Sequence, residues 1–220
     1  MSSKSGIFKN IIVRSIIVIF VALLIVVFRF DGKIDQDKSP AERFVVVKII
    51  DGDTVELKGG DKLRLLAVDT PEKGELFYDE ACQLLAELTL EKEAVIQYAS
   101  RRRDKYGRLL GYLYIDGAFI NEIILKRGMG NLYLFKDNKL GSPEINTMLS
   151  AQKAAIGDKI GLWSIQRSPE DYYINLEGSF RFHRPGCRSI KKSKPVYFQK
   201  LASREEGMLL GLSPCRNCKP

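Results

Sequence analysis

A series of short β-branched and aliphatic runs, separated by turn residues, constrains the fold of this chain most strongly. Residues 44–50, 54–57 and 63–68 are such runs, and the turn sequences DGD (51–53) and KGGD (58–61) lie between them. Strands this short and this closely joined predict a three-stranded meander. A helical segment follows at residues 76–91, with apolar residues near i, i+3, i+4 and i+7, so the pattern indicates a small barrel with a packed helix.

The next part of the chain completes this barrel. Residues 94–99 and 109–115 form two more predicted strands, separated by the basic loop 101–108. Two further helical stretches are predicted at residues 121–127 and 144–156. The expected fold class is therefore α+β, with a five-stranded barrel of the OB type and packed helices.

The basic residues are concentrated at the two ends of the chain. The 220 residues carry a net charge of +8. Residues 1–30 have four basic residues and no acid, residues 178–220 have ten basic against two acidic residues, and residues 31–177 have 21 basic against 25 acidic. Attraction to nucleic acid is therefore expected to be strongest at the C-terminal end. The single histidine excludes a histidine-based triad together with a histidine metal cluster, which leaves carboxylates, arginines and thiolates for the chemistry.

Residues 1–30 predict a membrane segment. Ile11 to Phe28 is an 18-residue apolar run that contains only Arg14 and Ser15 as polar residues. As a helix it would span about 27 Å, against a hydrocarbon core of about 30 Å. No small-x-small cleavage site follows it, which favours an uncleaved signal anchor over a cleaved signal peptide that would release a secreted protein. The flanking positive charges do not decide the orientation, and the polar residues 31–42 are expected to form a tether.

Acidic residues follow the ends of the predicted strands. Asp53 lies in the first turn, and Asp69 and Glu72 follow the third strand. The ends of the first and third strands of a meander can lie side by side, so Asp53 and Asp69 are expected to converge on one hard cation, Ca²⁺ or Mg²⁺ rather than Zn²⁺. Arg64 and Arg108 could direct planar guanidinium groups at a phosphate near that cation. Together these residues predict a phosphodiester site.

Four motifs in order carry a family resemblance. They are DGDT (51–54), LRLLAVDTPE (63–72), DKYGR (104–108) and GLW (161–163). Residues 43–165 therefore resemble the thermonuclease family, the staphylococcal nuclease-like domain. The resemblance implies an OB-fold, Ca²⁺-dependent phosphodiesterase that acts on DNA and RNA. It further implies that Asp53 and Asp69 are carboxylate ligands of Ca²⁺, that Thr70 offers a backbone carbonyl, and that Asp51 is an outer-shell acid.

The same resemblance assigns the remaining site residues. Glu72 would be the general base or water-orienting group, and Arg64 and Arg108 would bind the phosphate. Tyr106 would lie against the nucleotide. A second nucleotide-binding tyrosine falls near Tyr133, but the gap there leaves that residue open. The implied mechanism is in-line attack of water on phosphorus.

The C-terminal region holds a second group of ligands, after a predicted connector at residues 166–177. In residues 178–220, His183-x3-Cys187 and Cys215-x2-Cys218 enclose 27 residues. A chelating pair near each end of a compact loop is tetrahedral Zn²⁺ spacing, and a structural zinc would stabilise a segment too short to bury much core. A disulfide is the alternative for an exported chain, although three cysteines cannot all pair.

Residues 182–187, FHRPGC, and residues 203–220 resemble the metal-binding domain of the Ada DNA-repair protein. That family uses four cysteines, the first of which accepts a methyl group from a DNA phosphotriester. His183 stands at that position here, and a metal-bound imidazole is not the required nucleophile. The resemblance therefore implies zinc binding and DNA affinity, whereas the repair chemistry is not expected.

Taken together, the sequence predicts a membrane-tethered, Ca²⁺-dependent nuclease outside the cytoplasm, with a C-terminal zinc module that aids nucleic acid binding. Its partners would be DNA or RNA and, through residues 1–30, the lipid bilayer. Two alternatives remain open at this point. The first is a membrane-bound nucleic acid receptor without turnover, for example in DNA uptake. The second is a zinc-thiolate repair or sensor protein, against which His183 counts.

Overall fold

The computed structural model describes residues 42–135, 138 and 140–220. The first eight strands are β1 (Glu42–Asp51), β2 (Thr54–Leu57), β3 (Lys62–Leu65), β4 (Val68–Asp69), β5 (Glu93–Arg103), β6 (Leu109–Ile115), β7 (Ala118–Phe119) and β8 (Asn131–Leu132). The helices among them are α1 (Tyr78–Thr89), α2 (Ile120–Lys126) and α3 (Pro143–Gly157). The predicted anchor and most of the tether lie outside the described residues, among which no helix has both the length and the apolar character needed to cross a bilayer.

Five strands close into a barrel. Strands β3, β2, β1, β5 and β6 are neighbours in that order, and β3 also pairs with β6. This closing pair is parallel, with Leu63 opposite Leu109 and Leu65 opposite Gly111. Glycine is required at position 111, because a Cβ atom there would lie 2.5 Å from Cγ2 of Ile96. The predicted α+β fold with an OB-type barrel and packed helices is confirmed.

Three helices pack around the barrel and share its core. The turn of the chain into α3 is fixed by Ser142, whose Oγ accepts a hydrogen bond from the Ile145 backbone N–H, with Pro143 at the first helical position. Leu85 of α1, Ile124 of α2 and Met148 of α3 are fully buried against the strands. The barrel core therefore extends beneath all three helices.

The C-terminal residues form a second, smaller sheet. Its elements are β9 (Tyr173–Leu176), β10 (Arg181–His183), β11 (Phe198–Leu201), β12 (Ser213–Pro214) and α4 (Arg204–Leu209), with short 3-10 turns at Arg188–Ile190 and Pro195–Tyr197. A further 3-10 turn, Gly161–Ser164, lies between α3 and β9. The strand order is β11-β9-β10-β12. Strand β9 lies inside the predicted connector, which shortens the connector to the residues before Tyr173. We call residues 173–220 the C-terminal module.

The C-terminal module packs directly on the barrel domain, in one compact unit. Gln152 of α3 is fully buried and bridges the two parts: its Oε1 accepts a hydrogen bond from the Leu132 N–H at 2.7 Å, and its Nε2 donates to the Met208 carbonyl at 2.7 Å. Ser213 donates a further hydrogen bond from Oγ to the Leu132 carbonyl at 2.8 Å. Strand β8 is thus tied to the module through side chains as well as apolar packing.

Candidate active site and metal centre

The turn between β1 and β2 places Asp53 in the interior. The Asp53 backbone N–H donates to Oδ1 of Asp51 at 3.1 Å, which fixes the turn. Gly52 allows close approach of the neighbouring chain, since a Cβ atom there would lie 2.7 Å from Oγ1 of Thr70. The Asp53 carboxylate then accepts hydrogen bonds from the Thr70 backbone N–H at 3.2 Å and from Thr54 Oγ1 at 3.0 Å. A local turn motif therefore becomes part of a tertiary cluster.

Arg64 joins the two carboxylates that were predicted to converge. Its Nη1 lies 2.5 Å from Oδ2 of Asp53, an ion-pair distance without a good hydrogen-bond angle, and its Nη2 lies 3.3 Å from Oδ1 of Asp69. All three side chains are largely buried. The structure thus brings Asp53, Asp69 and Arg64 together at the ends of β3 and β4, as the sequence motifs indicate.

The electrostatics of this cluster favour a cation. Burial, opposed by the charge of Arg64 and reinforced by Asp51 and Asp69, raises the pKa of Asp53 to about 7. Asp51, Asp53 and Asp69 are compensated by two guanidinium groups, Arg64 and Arg216 of the C-terminal module, which leaves one carboxylate in excess. Carboxylate and carbonyl oxygens are hard donors that suit Ca²⁺. The cluster fits a calcium ion, whose charge would relieve the repulsion among the acids.

Glu72 and Thr70 line the same cavity as Asp69. This cavity has a volume of about 500 Å³ and is lined by the residue 69–76 loop and by residues of the C-terminal module. Glu72 is exposed, and its backbone N–H donates to Oε2 of Glu75 at 3.0 Å. The Glu72 carboxylate is therefore accessible to water beside the acid cluster, although no direct contact joins it to Asp53 or Asp69 in the described structure.

Arg108 lies on the other side of Arg64. The two arginines line a separate small cavity of about 90 Å³. Asp104 holds the Arg108 side chain, accepting from Nε at 2.8 Å and from Nη2 at 2.7 Å, and it also accepts the Tyr106 backbone N–H at 2.9 Å. Arg108 has no contact with the two carboxylates that Arg64 joins, so the structure brings the two arginines near each other but leaves Arg108 paired within its own loop.

The two candidate tyrosines differ in accessibility. Tyr106 is 71% exposed on the loop between β5 and β6. Tyr133 is buried, and its ring is covered by two arginines of the C-terminal module, with Cζ of Arg181 at 3.5 Å and Cζ of Arg216 at 4.8 Å from the ring centroid. Tyr106 is therefore open to solvent, with Lys105 and Arg108 near its ring, whereas Tyr133 is buried beneath its two arginines.

Two residues of the C-terminal module reach the acid cluster, and neither was among the predicted site residues. Arg216 Nη2 contacts Oδ1 of Asp69, the oxygen that Arg64 also approaches. Lys219 Nζ lies 2.6 Å from Oε1 of Glu75. The sequence separations are 147 and 144 residues, so no local signal could have found these contacts. In the sequence, Arg216 and Lys219 are recognisable only as two of the basic residues of the C-terminal region, next to Cys215 and Cys218.

The predicted histidine and cysteines form one cluster. The ligand atoms of His183, Cys187, Cys215 and Cys218 all lie within 4.8 Å of one another. A tetrahedral zinc with Zn–S bonds of about 2.3 Å separates its ligand atoms by about 3.7 Å, so the arrangement is close to that geometry. All four cysteines of the chain are free thiols, so the disulfide alternative is not formed in the structure. The cluster could hold a metal ion.

The protonation chemistry of these side chains fits a metal centre. Burial, together with Arg181, lowers the pKa of His183, and its Nδ1 is buried with no hydrogen-bond partner among the described residues. Burial raises the pKa of Cys215, but the backbone N–H groups of Cys218 and Asn217 lower it overall. The Arg184 N–H donates to Sγ of Cys218 at 3.4 Å. A neutral imidazole is the form in which histidine binds a metal, and backbone hydrogen bonds to sulfur stabilise the thiolate form of cysteine. Burial raises the pKa of Cys218 to about 12, so this thiol would lose its proton on metal binding.

Comparison with known proteins supports the nuclease fold. Residues 62–165 match the family model described as staphylococcal nuclease homologue. The chain is 32% identical to a protein named micrococcal nuclease from Shigella flexneri, over 58% of this chain and 76% of that relative. The matched region contains the β3–β4 segment, the residue 104–108 loop and the GLW turn.

Two proteins of Bacillus subtilis (strain 168) are also similar. Endonuclease YncB is 33% identical over 53% of this chain, and the SPbeta prophage-derived endonuclease YokF is 28% identical over 69% of it. The alignments span 59% and 53% of those two relatives. The staphylococcal nuclease family is typically Ca²⁺-dependent. With the barrel, the acid cluster and these relatives in agreement, the chain belongs to the staphylococcal nuclease family as a thermonuclease-like endonuclease.

Proposed function

We propose that this chain is a Ca²⁺-dependent nuclease that hydrolyses phosphodiester bonds of DNA and RNA. The observation that carries the proposal is the convergence of Asp53 and Asp69 on Arg64, beside a cavity lined by Glu72. Asp51, Asp53 and Asp69 outnumber Arg64 and Arg216, which supports a cation site, and the adjoining exposed glutamate offers a group to orient water. Family membership supports the reaction class.

In this proposal each residue has a separate role. Asp53, Asp69 and the Thr70 carbonyl would hold Ca²⁺, which when bound supplies positive charge to the phosphate oxygens. Glu72 orients the attacking water and accepts its proton. Arg64 and Arg108 bind the non-bridging oxygens, where negative charge grows in the transition state. Tyr106, exposed on its loop, lies against the nucleotide.

The second part of the proposal concerns the C-terminal cluster. One Zn²⁺ bound by His183, Cys187, Cys215 and Cys218 would close a tetrahedron and leave no position for substrate, so its role is structural. The unpartnered Nδ1 of His183 supports this, because buried polar atoms without partners are uncommon. The basic module would then aid nucleic acid binding, in keeping with its resemblance to the Ada metal-binding domain.

Digestion of plasmid DNA and of single-stranded RNA by the full chain tests the nuclease proposal. We expect hydrolysis with Ca²⁺ and poor activity with Mg²⁺, which demands a tighter octahedral site. Glu72→Gln should lower kcat at least about 10²-fold, as expected for loss of a general base. Glu80→Gln, an exposed acid on α1, is the matched control and should keep wild-type activity. Binding of DNA without hydrolysis in any metal would instead favour a nucleic acid receptor.

We also propose that residues 1–30 anchor the chain in a membrane with the nuclease outside the cytoplasm. The 18-residue apolar run supports the anchor, and the higher free calcium outside the cell would fill a weak carboxylate site. The protein should stay with membranes through alkaline and high-salt washing. A soluble form lacking these residues would indicate a cleaved signal peptide, and protection from added protease in intact cells would exclude the outward orientation.

A further inference from the structure

The cavity between the barrel domain and the C-terminal module has two walls of different charge. The barrel wall carries Asp69, Glu72 and Glu75. The opposite wall carries Arg204 and Trp163, with Arg216 and Lys219 at the junction between the walls, where they pair with Asp69 and Glu75. At about 500 Å³ the cavity lies within the size range of small-molecule sites. A ligand that fills it would touch the acid cluster on one side and cations on the other.

Arg204 forms no ion pair with an acidic side chain among the described residues. Its Nε donates to the main-chain oxygen of Pro220 at 2.9 Å. Burial, with the nearby charge of Arg167, lowers the pKa of Arg204 to about 10, so the guanidinium is still protonated at neutral pH but is poorly compensated. An anion bound in the cavity would supply the missing partner.

Trp163 is held in the same wall by a close backbone contact. Gly161 has a positive φ of 55°, and a Cβ atom there would lie 2.3 Å from the Gly128 carbonyl oxygen, which accepts the Leu162 N–H at 2.8 Å. The Trp163 ring packs in part against the apolar core of the module, and Cζ of Arg204 lies over it, 5.6 Å from its centroid. The remaining part of the half-buried ring lines the cavity. An aromatic ring fixed beside an arginine is the arrangement that binds a base and its phosphate in single-stranded nucleic acids.

We propose that this cavity is a subsite for a nucleotide of the substrate strand next to the scissile phosphate. The base stacks on Trp163, and its phosphate is bound by Arg204 with help from Arg216. The inference rests on the proposed nuclease function and deepens it, because the C-terminal module becomes part of the substrate site itself. A nucleic acid strand is favoured over an acidic peptide because each nucleotide carries a planar ring and an anion in one unit, whereas Asp and Glu carry no ring.

The single tryptophan of the chain provides a direct readout. The full chain with Glu72→Gln, in Ca²⁺, is titrated with a short single-stranded oligothymidylate while the fluorescence of Trp163 is measured. Saturable quenching is expected, together with protection of Trp163 from iodide. No change in Trp163 emission or iodide access on binding, or equal quenching by poly-glutamate of matched charge, would overturn the subsite.

Arg204→Gln in the same background should weaken oligothymidylate binding about 10-fold or more, since a charge-assisted hydrogen bond to phosphate is lost. Arg188→Gln removes an equal charge from an exposed position of the module and is the matched control, expected to change affinity less than about twofold. Equal losses in the two variants would show a general charge effect and contradict a built site. The iodide experiment needs no change in the module, so it decides the question even if Arg204→Gln fails to fold.

Kinetics separate this inference from the nuclease proposal. With Glu72 intact, Arg204→Gln should raise KM for long single-stranded DNA about 10-fold or more and leave kcat within about threefold. A dinucleotide carries only the scissile phosphate and has no second phosphate for Arg204 to bind, so its KM should not change in Arg204→Gln. If the wild-type chain and Arg204→Gln hydrolyse the long substrate with the same KM, the subsite proposal is wrong and the nuclease proposal stands. Absence of hydrolysis in the wild-type chain would instead contradict the proposed function.

Discussion

The two candidate metal clusters of this chain are built in different ways. In the acid cluster, Arg64 already joins Asp53 and Asp69, and the Thr70 N–H donates to Asp53. In the C-terminal cluster, the four ligand atoms lie within 4.8 Å of one another and Nδ1 of His183 has no partner in the described structure. The first cluster can keep its shape through its own bonds, whereas the second depends on its ion. A metal should therefore serve chemistry in the first and folding in the second.

The largest expected effect is loss of structure in the C-terminal module when its metal is removed. Cys215→Ser should abolish stoichiometric zinc binding and expose residues 173–220 to proteolysis, because small zinc domains derive about 10 to 16 kcal/mol from the metal. Zinc content and limited proteolysis measure this. Cys82→Ser, in α1 and outside the cluster, is the matched control and should retain one zinc. A Cys215→Ser chain that still binds zinc tightly would show that the four residues do not form one centre.

The next largest effect concerns catalysis without loss of fold. Arg64→Ala and Arg108→Ala should each lower kcat by about 10² to 10³ at saturating Ca²⁺, as for removal of one preorganised donor to the transition state. Arg103→Ala is the control on the same barrel, because Arg103 forms an exposed ion pair with Asp61 at 2.9 Å. Wild-type rates for Arg64→Ala or Arg108→Ala would show that these arginines do not bind the reacting phosphate.

A smaller effect is expected at the contact between the two regions. Gln152→Ala would leave the buried Leu132 N–H and the Met208 carbonyl without partners, at a cost of about 1 to 3 kcal/mol of unfolding free energy. Chemical denaturation measures the change. Gln83→Ala, whose side chain bonds only Glu87 on the exposed face of α1, should cost less than about 0.5 kcal/mol. Equal costs would mean that the bridge contributes nothing.

Local patterns predicted the barrel well, and tertiary pairing explains the differences. The strands at residues 54–57 and 109–115 match their predicted bounds, because turn residues flank both. Strand β5 instead continues to Arg103, inside the predicted loop, because Arg103 pairs with Leu109 of β6. The predicted strand 63–68 is divided between β3 and β4 at Ala67, which has a positive φ of 60°. No local sequence pattern indicates the longer β5 or the break at Ala67.

The same difference between local patterns and tertiary contacts applies to the candidate site. The sequence placed Asp53, Asp69 and Arg64 together, because each lies in or beside a strand of one short meander. It could not place Arg216 against Asp69, since that contact depends on how two separately folded sheets pack. For the same reason the sequence predicted only a module that aids nucleic acid binding, whereas the structure has Arg216 of that module at Asp69 and Lys219 at Glu75.

The central claim is that the oxygen cluster carries hydrolysis while the thiolate cluster carries structure. The most direct test is to measure the initial rate of DNA hydrolysis and the bound zinc in the same sample of the full chain, before and after dialysis into calcium-free buffer and after calcium is restored. The account predicts that hydrolysis disappears and returns with Ca²⁺ while one zinc per chain is retained throughout. Hydrolysis that persists without calcium, or that follows the zinc content instead, would contradict it.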